Sequence, residues 1–165
     1  MLLAIDVYYK EQTAKAVGVL FNWDSAMPEQ IIIEHSTGVE EYVPGEFYKR
    51  ELPCVLKIIG QIKLDSVEAI IIDGYIYVDN DGAFGLGGVL YETINKSVPV
   101  IGVAKTSFFR NKETVTELLR GESKNPLYIS SIGYPIDDAV ERIKNMKGEF
   151  RIPAILKELD RITKE

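Results

Sequence analysis

Three carboxylates stand at positions where a carboxylate is costly. Asp6 interrupts the apolar run Leu2 to Tyr9, and Asp73 ends the nearly continuous run Val67-Glu-Ala-Ile-Ile-Ile-Asp73. Glu51 follows Lys49-Arg50 at the start of a segment with helical apolar spacing. An isolated carboxylate buried in a sheet costs several kcal/mol unless it is paired or metal-bound. If the strands carrying Asp6 and Asp73 share one sheet, their oxygens can converge across it. A hard divalent cation such as Mg²⁺ prefers such oxygens and keeps positions for water and phosphate. Taken singly, each residue also has a plainer reading as a cap, a turn or a surface charge, and Asp73-Gly74 alone is an ordinary turn.

Other chemistry is weaker. Gly82-Ala-Phe-Gly85-Leu-Gly87 imitates a dinucleotide loop but does not directly follow its strand. Asp79-Asn80-Asp81-Gly82 imitates a calcium loop without the distal glutamate spacing. His35 is the sole histidine and has no nearby partner in the chain, which makes it a surface residue. Cys54, the sole cysteine, excludes an internal disulfide framework and a multi-cysteine zinc site, and its apolar spacing assigns it to the core. Trp23, in a turn beside Asp24, caps the sheet or touches a partner.

The elements that must position the carboxylates follow from periodicity. Leu2–Tyr9, residues 14–21 and Gln30–Glu34 read as three strands separated by turn residues, an antiparallel meander. From Phe47 to about Lys63, Leu52, Val55, Leu56, Ile59 and Ile62 recur at helical spacing, with Pro53 near the start and Gly60 weakening the last turn. Val67–Asp73 and Val98–Ala104 read as strands buried on both faces, with a helix over about 84–95 between them. Leu127–Ile132 is a further strand. Asp137 or Asp138 caps a helix over about 138–147, and Pro153 opens a last one. This order predicts an α/β fold: a mixed sheet with an antiparallel meander followed by parallel β-α units, and helices on both faces.

Composition bounds the rest. The chain has 165 residues, 46% of them apolar, which suits one domain over 1–165 with its own core. No apolar run approaches the roughly 20 residues that span a bilayer. The opening Met-Leu-Leu-Ala-Ile has no basic leader, so a soluble, cytoplasmic protein without membrane partners is expected. The net charge of −6 hides a split, because residues 1–104 carry 7 basic and 15 acidic side chains and residues 105–165 carry 12 and 10. Charge alone decides nothing about partners.

Tyr42-Val43-Pro44-Gly45-Glu46-Phe47-Tyr48-Lys49-Arg50-Glu51-Leu52-Pro53 resembles the signature of the endonuclease V family, with its Tyr-x-Pro-Gly and the glutamate six residues past that glycine. Ala4-Ile5-Asp6-Val7 resembles the family's first-strand aspartate, Ile72-Asp73-Gly74 its second, and Ile101-Gly102-Val103-Ala104-Lys105 its lysine-bearing strand. Ser131-x-Gly133 and Arg151-Ile152-Pro153 resemble two later segments, so the likeness runs collinearly over nearly the whole chain.

The resemblance implies an RNase H-like fold and a Mg²⁺-dependent endonuclease, with Mn²⁺ as an alternative ion. Such an enzyme cleaves a phosphodiester near deaminated bases, chiefly inosine, in DNA or RNA. It implies Asp6, Glu51 and Asp73 as catalytic metal ligands, Asp160 as a fourth, and Lys105 beside the scissile phosphate. Tyr42, Val43 and Pro44 would be a wedge that replaces lost stacking when a base leaves the helix. Gly45, Gly74, Gly85 and Ala104 would line the base pocket through their backbone. A monomer is expected. The clearest departure is the family's Gly-x-x-His-Pro-Arg segment, replaced here by Tyr75-Ile76-Tyr77-Val78-Asp79-Asn80-Asp81, and Tyr134 stands where a second family histidine falls. Two competitors therefore accompany the nuclease: a nucleic-acid-binding module on the same fold, catalytically weakened or retargeted, and an enzyme acting on a small phosphate ester.

Overall fold

The computed structural model describes residues 1–38 and 47–165. Strands β1 (Leu2–Lys10), β2 (Thr13–Phe21) and β3 (Gln30–Thr37) form the antiparallel meander. Helix α1 (Phe47–Ile59) leads to β4 (Ala69–Ile72), and α2 (Leu86–Thr93) leads to β5 (Val100–Ala104). Then come β6 (Thr116–Leu118), β7 (Leu127–Ile132), α3 (Ile136–Lys144) and α4 (Ala154–Lys164). The strands make one sheet in the order β3-β2-β1-β4-β5-β7-β6. β4 pairs parallel with β1 and β5 parallel with β4, as the β-α reading requires, and the sheet turns antiparallel again where β7 joins β5.

The β-strand period of two divides the core into two faces. Leu2, Ala4, Val17, Val19, Ile71 and Ile101 point to one side, where they pack with Ala139 and Ile143 of α3 and Ile155, Leu159 and Ile162 of α4. Leu3, Ile5, Ile70, Ile72 and Val100 point to the other, against Val55 and Ile58 of α1 and Leu86 and Leu90 of α2. Helices therefore cover both faces. Leu2, Leu3, Ile70, Ile71, Ile72 and Ile101 are fully buried central-strand residues, which is why β1, β4 and β5 read as near-continuous apolar runs.

Several boundaries move. α1 stops at Ile59, and Gly60 closes it through its N–H to the Leu56 carbonyl (2.9 Å). Pro53 lies in the second turn of α1 rather than at its start. α3 begins at Ile136, so Asp137 and Asp138 lie in its first turn and Pro135 precedes it. There they face the positive end of the helix dipole. β6 escapes sequence reading because three residues, Thr-Glu-Leu, carry no period. Cys54 is buried, as its spacing requires, and His35 is exposed on the edge strand. Asp79 Oδ1 accepts the N–H groups of Asp81 and Ala83, a local turn.

Candidate active site

The sheet brings the separated carboxylates to one edge. Asp6 lies two residues past Ala4 on β1, and Asp73 directly follows β4. Because Ala4 pairs with Ile71 and Ile5 with Ile72, the two aspartates extend adjacent parallel strands at the same level. Both belong to the face covered by α4, and a depression there is lined by Asp6, Asp73, Lys105, Ile152, Leu156 and Leu159. Thr163, buried on α4, points its hydroxyl at Asp6 Oδ2 (3.5 Å) and donates to the Asp160 carbonyl (2.7 Å). Asp160 thus arrives from the helix at the edge where the strand carboxylates end.

Glu51 comes from α1, on the opposite face of the sheet. It reaches the same edge because β3 runs alongside β1 in direction, so the chain leaving β3 starts α1 near the C-terminal ends of the strands. The guanidinium of Arg50 lies 3.4 Å from the centre of the Tyr9 ring, which ties the start of α1 to the end of β1. Burial, then the charges of Asp6 and Asp73, push the Glu51 carboxyl up to about 8. Burial, then the charge of Asp73, push Asp6 up to about 6. These three carboxylates form one electrostatic unit in which negative charge outweighs the neighbouring Lys105 and Arg50. Nearby dipoles and ions that favour the charged forms, such as the Val7 N–H on Asp6 Oδ1 (2.9 Å), only partly offset the repulsion.

Lys105, immediately after β5, brings an ammonium to this edge. Its Nζ lies 3.6 Å from Asp73 and 4.0 Å from Asp160, and Lys164 is 3.0 Å from Asp160. The Lys105 backbone is itself held: Arg151 Nη2 donates to the carbonyls of Lys105 and Pro126. Among the described residues no group of three or more histidine, cysteine or acidic side chains is placed to hold a metal ion. The donor chemistry still fits Mg²⁺. That ion is held by one or two carboxylates and keeps its waters, whereas a full protein cage suits softer or larger ions. Asp6, Asp73 and Glu51 offer hard oxygens at one edge, where burial and then neighbouring negative charge raise Asp6 and Glu51.

The other expected residues are distributed as follows. Tyr42, Val43, Pro44 and Gly45 lie outside the described residues. Gly74 is partly exposed beside Asp73, with φ at +151°, and its carbonyl packs against β5. A Cβ on Gly102 would come within 2.5 Å of that carbonyl and 2.7 Å of Ser130 Oγ. Glycine at 102 is therefore what lets the segment after Asp73 cross β5. Gly85 is buried, its N–H taken by the Ile76 carbonyl (2.8 Å), and Ala104 is buried at the end of β5. Sequence reasoning gave Arg151 only a family segment and gave Thr163, Tyr9 and Arg50 no role. Thr163 carries no local signal; an arginine beside an expected ligand was the available hint for Arg50.

Comparisons with known proteins agree with this architecture. The chain superposes on Ciona intestinalis endonuclease V, solved with a 24mer DNA containing an inosine followed by a ribo-adenosine. The TM-score is 0.84 at 15% identity, covering 99% of this chain and 83% of that one. The catalytic domain of human endonuclease V superposes with a TM-score of 0.77 at 20% identity, over 99% and 80% of the two chains. A protein of unknown function from Archaeoglobus fulgidus gives 0.63 at 12% identity, over 98% and 95%. At such identities these likenesses establish the mixed-sheet, RNase H-like fold. No curated protein matches the sequence. The endonuclease V family model, by contrast, matches residues 1–161, a span that contains the strand aspartates, Glu51, Lys105 and Asp160, and the chain therefore belongs to the endonuclease V family.

Proposed function

We propose that residues 1–165 act as a divalent-metal-dependent endonuclease that cuts a phosphodiester near a deaminated base, inosine above all, in DNA or RNA. The observation that carries this reading is the convergence of Asp6, Glu51 and Asp73 on one sheet edge, close enough that the neighbouring charges help to raise the proton affinity of Asp6 and Glu51. Family membership supports the nuclease activity. The inosine-containing DNA bound by the Ciona relative supports the substrate.

Asp6, Glu51 and Asp73 would hold Mg²⁺, or Mn²⁺ in its place, with Asp160 as a further ligand. The bound ion would supply Lewis acidity to the phosphate and to the attacking water. The chain's own groups do the rest. Lys105 is set to exchange its contacts with Asp73 and Asp160 for a phosphate oxygen, and it would offset charge that develops there. Arg151 holds the Lys105 backbone so that the ammonium stays at the strand end. Thr163 sets its hydroxyl beside Asp6 and Asp160. The wedge Tyr42-Val43-Pro44 and the backbone around Gly45, Gly74, Gly85 and Ala104 would admit the base.

A second reading, a nucleic-acid-binding module that does not cut, is favoured by one observation: ammonium groups, rather than a closed ligand set, already sit against Asp73 and Asp160. End-labelled oligonucleotides with and without one deoxyinosine, and matched RNA, separate the two when incubated with Mg²⁺, Mn²⁺ or EDTA. Metal-dependent cutting near inosine upholds the nuclease. Binding without cutting in either metal replaces it with the module.

A further inference from the structure

The segment following Lys105 has a composition that the reaction does not explain. Residues 105–112, Lys-Thr-Ser-Phe-Phe-Arg-Asn-Lys, carry three cations and no carboxylate in a chain of net charge −6. Phe108 is 36% exposed and Phe109 72% exposed. Two neighbouring phenylalanines in water cost apolar hydration that a surface loop normally avoids.

These rings are presented, not loose. Asn111 is fully buried, and its Nδ2 donates to the Tyr77 carbonyl (2.8 Å). The Glu113 N–H donates to Asn80 Oδ1 (2.9 Å), and the Thr114 hydroxyl donates to the Asn111 carbonyl (2.8 Å). Tyr75 packs on Phe108 with ring centres 6.1 Å apart, and its hydroxyl donates to the Thr106 carbonyl. Phe108 and Phe109 follow at 6.0 Å. Tyr75, Phe108 and Phe109 thus form a row of three rings that begins two residues after Asp73. Arg110 lies 5.8 Å over the Phe109 ring. Every partner on the bracing side, Tyr75, Tyr77 and Asn80, comes from the segment that replaces the family's histidine-bearing stretch.

We infer that Tyr75, Phe108 and Phe109 form a stacking platform for unpaired bases of the strand being cut, with Arg110 and Lys112 meeting its phosphates. The inference rests on the nucleic-acid reading of the neighbouring site and adds to it a preference for single-stranded flanks. A nucleobase offers the flat π face that an exposed ring can cover, and the phosphates of its strand complement the cations Arg110 and Lys112. The row also starts at Asp73 and Lys105, where the scissile phosphate would lie, so the platform continues that site. Stacking is indifferent to base identity, so the platform tolerates sequence while the pocket reads the lesion.

Fluorescence anisotropy in EDTA tests this without turnover, using fluorescein-labelled dT12, U12 and a 12-base-pair duplex. Phe109→Ala and Phe108→Ala should each weaken single-strand binding by roughly 5- to 100-fold, the range of one lost stacking contact, and leave duplex binding within about twofold. Phe109→Trp should restore binding and Phe109→Leu should not, since leucine keeps apolar area and lacks a π face. Parent-like binding by Phe109→Leu overturns the platform. So does a change in oligomeric state of Phe109→Ala with unchanged nucleic-acid affinity, which would make the patch a contact between copies of the chain. If the parent binds neither oligonucleotide nor duplex, both this inference and the nuclease reading fall; if it binds and cuts while the alanine variants match it, only the platform does.

Discussion

Replacing Glu51 by glutamine should stabilise the metal-free protein at neutral pH. The carboxyl is raised from 4.5 to about 8 by burial and by the charges of Asp6 and Asp73. At pH 4 it is protonated in both folded and unfolded chains and contributes no difference. As pH rises past 4.5 the unfolded chain releases the proton and the folded one keeps it, so stability falls by about 1.4 kcal/mol per pH unit until the folded group also titrates near 8. At pH 7 the accumulated cost is roughly 3 kcal/mol. Glutamine keeps the shape and removes the titration, so Glu51→Gln should gain about that much at pH 7 and nothing at pH 4. For a domain of this size the gain corresponds to a Tm rise of roughly 6–12 °C. Thermal and urea unfolding in EDTA at pH 4, 5.5 and 7 measure it, with Mg²⁺ added in a parallel series. Mg²⁺ should raise the Tm of the parent at pH 7 by more than that of the variant, because it relieves the same repulsion. A variant equally destabilised at all three pH values would refute the account, since Glu51 would then be a supporting contact and not an uncompensated charge.

Asp73→Asn should abolish metal-dependent cutting while far-UV circular dichroism stays that of the parent, because the exposed side chain ends a strand without packing into the core. Gly102→Ala places a methyl 2.5 Å from the Gly74 carbonyl and should cost roughly 1–3 kcal/mol in urea unfolding, together with cleavage, as the segment carrying Asp73 is pushed off β5. Arg120 donates to the carbonyls of Lys144, Met146, Gly148, Phe150 and Arg151, so Arg120→Met should leave buried acceptors unpaired and lower stability by roughly 3 kcal/mol or more. The same variant should lower cleavage, since the loop it staples carries Arg151.

The local code was legible where a residue's role depends on its own neighbours in the chain. Alternation and continuous apolar runs identified β1, β2, β4, β5 and β7, and a 3.6-residue period identified α1, because burial of one face imposes that spacing directly, while Pro153 marked the start of α4. The oddness of Asp6 and Asp73 was equally local: a carboxylate inside an apolar strand signals a partner whatever the fold. The motif around Glu51 could be matched by family resemblance for the same reason, being contiguous.

What tertiary structure decided was which distant residues meet. Register between β1 and β4 sets Asp6 beside Asp73, and no periodicity encodes a register between strands some sixty residues apart. Glu51 reaches the shared edge from the opposite face of the sheet, so only the direction of β3 and the start of α1 determine its approach. Arg120 looks like a surface cation in sequence and is a buried staple of five carbonyls, and Thr163 looks like a helix-end residue and sets its hydroxyl beside Asp6. Both act through backbone or carboxylate oxygens far away in the chain. The same holds for the aromatic row: Tyr75 and Phe108 are neighbours only because β4 and β5 lie side by side. A sequence states which groups must be satisfied; the folded chain, through the geometry of pairing and packing, supplies the partners that satisfy them.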